Sequence, residues 1–94
     1  VNAKRKGSRA EHRAIVILER AGYRCTRAAG SLGTFDVVAV GAVDLKLVQV
    51  KCGSRCQVTP LEREQIVLFA APANCSKEVW KFFTRRRDPV ITRL

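Results

Sequence analysis

Asp36, Gln49 and Lys51 are the residues of this chain whose types packing alone explains least. They sit in two short runs that otherwise read as apolar strands, among Val37, Val38, Val40, Val43, Leu45, Leu47, Val48 and Val50. An acid, an amide and a fixed positive charge are thereby set among packing residues. Leaving a lysine and a carboxylate in such strands costs several kcal/mol unless they are paired or put to use. That cost marks a candidate active site, with a structural Asp36–Lys51 ion pair as the plainer reading.

The two runs, Thr34–Val40 and Leu45–Cys52, flank Gly41-Ala42-Val43-Asp44, which is hairpin material. A loop centred between Ala42 and Val43 sets Asp36 opposite Gln49. Lys51 shares the face of Gln49 because strand side chains alternate. The register therefore gathers Asp36, Gln49 and Lys51 in one patch, and a bulge or one-residue slip would disperse them.

The elements that must hold this patch follow from periodicity. Ser8 through Ala21 reads as a helix with Ala10, Ala14, Ile17 or Leu18, and Ala21 on one side. Ser8 can cap it, Gly22 can end it, and Tyr23 can fold back on its last turn. Tyr23 to Ala28 reads as a short strand, followed by a Gly30-Ser31-Leu32-Gly33 loop. Thr59, with Pro60 behind it, opens a second helix to about Ala71, with Leu61, Gln65, Leu68 and Phe69 along one stripe. Lys77–Phe83 reads as a strand, Arg85 to Pro89 as a turn and Val90–Leu94 as a last strand. The order α-β-β-β-α-β, with one further strand, gives an α/β fold: a small mixed sheet flanked by helices.

The 94 residues make one domain, 1–94, with residues 1–7 expected as a flexible basic arm. No apolar run is long enough for a membrane span, and the start of the chain carries no secretory signal. Cys25, Cys52, Cys56 and Cys75 lack C-x-x-C spacing, and the one histidine is His12. They read as reduced packing thiols of a cytoplasmic protein, nucleoid-associated or viral, rather than as a zinc site. The net charge of +10 is uneven: residues 1–30 carry eight basic and two acidic side chains, 31–75 four of each, and 76–94 six and two. Cationic ends around a neutral centre suit a polyanion, most simply a nucleic acid. A solubilising surface would mix its signs.

Several segments together resemble a known family: Arg5-Lys6-Gly7-Ser8-Arg9-Ala10-Glu11, Gly22-Tyr23, Arg27-Ala28-Ala29-Gly30-Ser31, Phe35-Asp36-Val37-Val38-Ala39 and Val48-Gln49-Val50-Lys51. They are similar to the archaeal-type Holliday junction resolvases, of the PD-(D/E)xK nuclease superfamily with a restriction-endonuclease-like core. The likeness runs motif by motif over residues 4–52 and loosely through the second helix and Val79-Trp80-Lys81-Phe82-Phe83. The D-x(n)-(E/Q)-x-K part alone is weak. Its combination with the basic start and the A-G-S loop is specific.

The resemblance implies a metal-dependent endodeoxyribonuclease cutting branched DNA, as a homodimer, with Mg²⁺ or Mn²⁺. By position it implies Glu11, Asp36 and Gln49 as metal ligands, joined by the Val50 carbonyl. Lys51 would serve the attacking water and the phosphate charge, with Ser31 assisting. Lys4, Arg5 and Lys6 would meet DNA, and the basic residues Arg9, Arg27, Arg55, Arg85 and Arg86 are further candidates. Gln49 departs from the family's acid, although some similar nucleases carry glutamine there, and Phe35 departs from its proline. Plainer readings stand beside these. Glu11 completes a Ser8–Glu11 capping box, Ser31 is a loop hydroxyl, and Arg85 to Arg87 form a solvated turn. Other DNA substrates, or a DNA-binding module with a decayed site, are the alternative functions.

Overall fold

The computed structural model describes residues 3–28 and 33–94, and the side chains from Gly7 onward within them. Helix α1 (Ala3–Arg20) is followed by β1 (Arg24–Arg27), β2 (Val37–Val40), β3 (Leu45–Gly53), α2 (Pro60–Leu68), β4 (Cys75–Phe83) and β5 (Val90–Arg93). The five strands form one sheet in sequential order. Neighbours are antiparallel except β3 and β4, which run parallel, so α2 lies in the crossover that parallel strands require.

Helix α1 begins at Ala3 rather than Ser8. Its first turns are built from Lys and Arg, good helix formers with no proline to interrupt them, so the expected arm is helical from Ala3 onward. Ser8 therefore lies inside the helix and caps nothing. Its other end is as the sequence indicates. Tyr23 N–H reaches Leu18 O at 3.0 Å and Gly22 N–H reaches Glu19 O at 3.0 Å, with Gly22 at φ +100°. This paired closure needs a left-handed residue, which glycine adopts without a Cβ clash.

Ala10, Ala14 and Leu18 form the buried stripe of α1, and Ile17 stays at the surface. The small alanines let the helix approach the sheet closely, against Val37, Ala39, Val48, Trp80 and Phe82. On the opposite face Phe35, Leu47, Ile66 and Val79 make a second cluster. Phe35 meets Phe69 edge-on there, with ring centroids 5.2 Å apart. Helices thus cover both faces of the sheet.

Helix α2 corrects the expected stripe. Ile66 is its buried residue, while Leu61 and Leu68 are 65% and 73% exposed. The inward stripe is Glu62–Ile66, one turn apart. The helix stops at Leu68 rather than Ala71, because Phe69 turns extended and the Ala71–Pro72 step disfavours further helix. Lys77 Nζ closes the helix end by donating to Val67 O at 2.8 Å and Phe69 O at 2.9 Å.

Cys25, Cys52 and Cys75 form no disulfide, and Cys56 Sγ donates to Gly53 O at 3.3 Å. No helix among the described residues is long and apolar enough to cross a membrane.

Candidate active site

The β2–β3 ladder pairs Val37 with Val48 and Val40 with Leu45, the register anticipated from the hairpin loop. The ladder itself starts at Val37, not Thr34. Asp36 lies one residue before it, yet its N–H still donates to Val48 O at 2.8 Å, and its own carbonyl accepts from Ala28 N–H at 2.9 Å. Its carboxylate Oδ2 then accepts the N–H of Val50 at 2.8 Å. The backbone of Asp36 is thus held from both sides, and its side chain takes the next rung on β3. Burial raises the pKa of Asp36 above its ordinary value, and Glu62 adds to that. The Val50 amide and the Lys51 charge work in the other direction.

Gln49 is buried at 4% exposure. Its Nε2 donates to Thr34 Oγ1 at 2.6 Å and to Glu62 Oε2 at 2.9 Å, so both amide hydrogens are engaged. Its Oε1 is the buried side-chain polar atom that lacks a partner among the described residues. Such an orphan costs about 1–3 kcal/mol, and a stable site that keeps one has a use for it.

Lys51 Nζ lies 2.7 Å from Glu62 Oε2, so its ion-pair partner is Glu62 and not Asp36. Glu62 also closes the capping box of α2. Its Oε1 accepts Thr59 N–H at 3.0 Å, and its own N–H donates to Thr59 Oγ1 at 3.1 Å. The Lys51 bond first, then the Thr59 amide, lowers its pKa from 4.5 to about 2. Glu62 is the site residue that sequence reasoning missed. Its signal was the Thr59-Pro60-Leu61-Glu62 cap, which fixes where that glutamate points.

Glu11, on α1, is raised by burial and then by the charge of Asp36, with Arg27 opposing. The Asp36 influence brings the two carboxylates into one electrostatic neighbourhood. The Ser8–Glu11 capping box is absent, because Ser8 is helical. Its Oγ and carbonyl instead accept from Arg27 at 3.1 and 3.2 Å. Arg27 Nε stands 3.9 Å from Glu11 Oε1 with an exposed side chain, a weak pair. Ser31 lies outside the described residues, as do the side chains of Lys4, Arg5 and Lys6.

The basic residues divide. Arg9, Arg85 and Arg86 line one cleft, of about 510 Å³, together with Arg13. Arg13 was not singled out by the sequence, although it stands one turn from Arg9 on the same helix face. Its guanidinium lies 4.7 Å from the centre of the Phe82 ring and donates to Arg87 O. Arg85 holds φ +68°, the left-handed conformation outside glycine among the described residues. Arg55 is exposed beyond the cleft, and His12 is exposed on α1.

The donor set is compatible with a hard divalent cation. Glu11 and Asp36, both of raised pKa and within electrostatic reach of each other, and the unsatisfied Gln49 oxygen are oxygen donors of the kind that suits Mg²⁺ or Mn²⁺. No group of three or more His, Cys, Asp or Glu side chains poised for a metal occurs among the described residues.

This mixed sheet with a helix on each face is the fold of a solved archaeal Holliday junction resolvase. The comparison with solved structures bears this out. The chain is similar to Hjc of Archaeoglobus fulgidus, described as a Holliday junction resolvase from an archaeal hyperthermophile. The TM-score is 0.77 and the identity 27%, over 94% of this chain and 72% of that one. No protein-family model and no curated protein matches the chain.

Proposed function

We propose that this protein is a divalent-metal-dependent endodeoxyribonuclease of the PD-(D/E)xK type that acts on branched DNA, as a Holliday junction resolvase does. The observation that carries the reading is the unsatisfied Gln49 Oε1, on the strand position that the register sets opposite Asp36, in a chain similar to Hjc over 94% of its length. Glu11, Asp36, Gln49 Oε1 and the Val50 carbonyl would hold the cation. When bound, it would supply charge neutralisation at the phosphate and a more acidic water.

The chain's own residues do the rest. Asp36 is fixed by the Val50 amide, so its second oxygen keeps one direction. Lys51 brings a positive charge that helps offset the charge developing on the phosphate. The arginines of the cleft, with Arg27 and Arg55, bind the DNA backbone and set its register without reading sequence. Paired cuts on a four-way junction need two sites, so a homodimer belongs to the proposal. Exposed Leu61 and Leu68 on α2 offer it apolar surface.

The test is incubation with Mg²⁺ or Mn²⁺ and a labelled four-way junction, beside linear duplex, flaps and nicked DNA. Symmetric paired nicks on the junction, abolished by Asp36→Asn, are the expected result. Cleavage indifferent to Asp36→Asn would remove the assignment.

A further inference from the structure

We propose that Glu62 supplies the negative charge that Gln49 lacks and is the positioning residue that aims Gln49 Oε1 at the cation. The inference rests on the nuclease reading above and adds a residue that the motif resemblance does not contain.

A glutamine presents an oxygen on one side and a nitrogen on the other, and rotation by half a turn exchanges them. The Thr34 hydroxyl can either donate or accept, so it does not choose between the two. Glu62, ionised, only accepts. With its Oε2 at 2.9 Å, the nitrogen must face it, which leaves Oε1 on the other side of the amide without a partner. Glu62 therefore determines that oxygen, and not N–H, is offered to a positive ion.

The same Oε2 receives Lys51 Nζ at 2.7 Å. One carboxylate oxygen thus orients the Gln49 and Lys51 side chains of the Gln49-Val50-Lys51 element. Glu62 is itself fixed by the Thr59 amide on Oε1, within the first turn of a helix docked through Ile66. Its placement is not that of a loose surface acid.

Charge completes the case. An acid at position 49 would set a second carboxylate where the amide nitrogen now lies, against Glu62. Two like charges at that separation repel, with the single Lys51 cation to share between them. Gln49 and Glu62 are therefore alternatives for one negative charge: glutamine on the strand permits glutamate on the helix. This reverses the simplest view of Gln49, in which restoring the acid repairs a damaged site.

The experiment is a charge swap, read in three ways on the full chain. Mn²⁺ binding is measured by calorimetry, thermal unfolding without metal by circular dichroism, and cleavage on the junction. Glu62→Gln keeps the capping geometry, since glutamine can also accept the Thr59 amide. It should weaken Mn²⁺ binding about tenfold or more, the usual size for a partner that orients a ligand. Gln49→Glu alone should lower the unfolding midpoint and fail to improve binding or cleavage. The double variant Gln49→Glu with Glu62→Gln should recover most of all three. A purely structural Glu62 would shift the unfolding midpoint and leave Mn²⁺ affinity unchanged. Wild-type affinity in folded Glu62→Gln, or Gln49→Glu alone binding more tightly than wild type, would overturn the inference while leaving the nuclease reading intact. A wild type that neither binds Mn²⁺ nor cuts any DNA overturns both.

Discussion

Replacing Ile66 by alanine tests how α2, and Glu62 with it, is held on the sheet. Ile66 is the buried residue of that helix, at 0% exposure, packed in the cluster with Phe35, Leu47 and Val79. The substitution removes three carbons, each worth about 0.8 kcal/mol of transfer free energy, hence about 2.4 kcal/mol. Incomplete collapse of the cavity adds to this and brings the expected loss to about 3–4 kcal/mol. A domain of this size has about 5–15 kcal/mol in total, so the variant still folds. Its thermal midpoint should fall by about 12–30 °C. Ile66→Val should cost about 1 kcal/mol and serve as control. The assay is urea unfolding followed by far-ultraviolet dichroism and by fluorescence of Trp80, the single tryptophan, which is buried on the opposite face of the sheet. Coincident transitions with an unchanged slope are expected. A loss below about 1 kcal/mol, or α2 melting apart from the Trp80 signal, would refute the claim that Ile66 fixes this helix.

Three further outcomes follow from the geometry. The pKa of Glu62 falls from 4.5 to about 2 on folding, so its stabilisation is complete above the unfolded value and is lost as pH drops towards 2. Asp36, raised by burial, acts in the opposite sense, so the comparison of unfolding between about pH 5 and pH 2 in wild type and Glu62→Gln isolates the Glu62 part; equal slopes would contradict it. Arg13→Ala should weaken metal-free DNA binding irrespective of sequence and reduce the salt slope by about one, as measured by fluorescence anisotropy over a salt series. Gly22→Ala forces a Cβ into φ +100° and should cost about 1–2 kcal/mol in urea unfolding, with DNA cleavage unchanged.

The sequence revealed most where the signals were local. The loop between Gly41 and Asp44, flanked by valines, determined the pairing of β2 with β3, and with it the neighbourhood of Asp36 and Gln49. Gly22 and Tyr23 announced the end of α1 because the closure uses adjacent residues. The start of α1 misled, since Ser8 is a good cap in isolation. Its hydroxyl is claimed by Arg27, distant in sequence. Helix α2 misled for a related reason. Across nine residues a helical period fits two stripes, and Leu61 with Leu68 looked more apolar than Glu62 with Ile66. The choice was made by Lys51 and Gln49 on β3, which bind Glu62 on the helix. The local cap placed Glu62 but carried no trace of the strand residues it meets.

The rung that Asp36 contributes to the sheet has an evolutionary consequence. Its carboxylate satisfies a strand amide that would otherwise be left bare, so selection for folding alone would retain an acceptor here. On the proposed nuclease reading, descendants that gave up DNA cleavage would keep the aspartate as a beam of the building. They would first lose residues whose only employment is the reaction. On the proposed reading, the survival of Glu11, more than that of Asp36 or of Lys51 with its partner Glu62, would report across a lineage whether the chemistry survives.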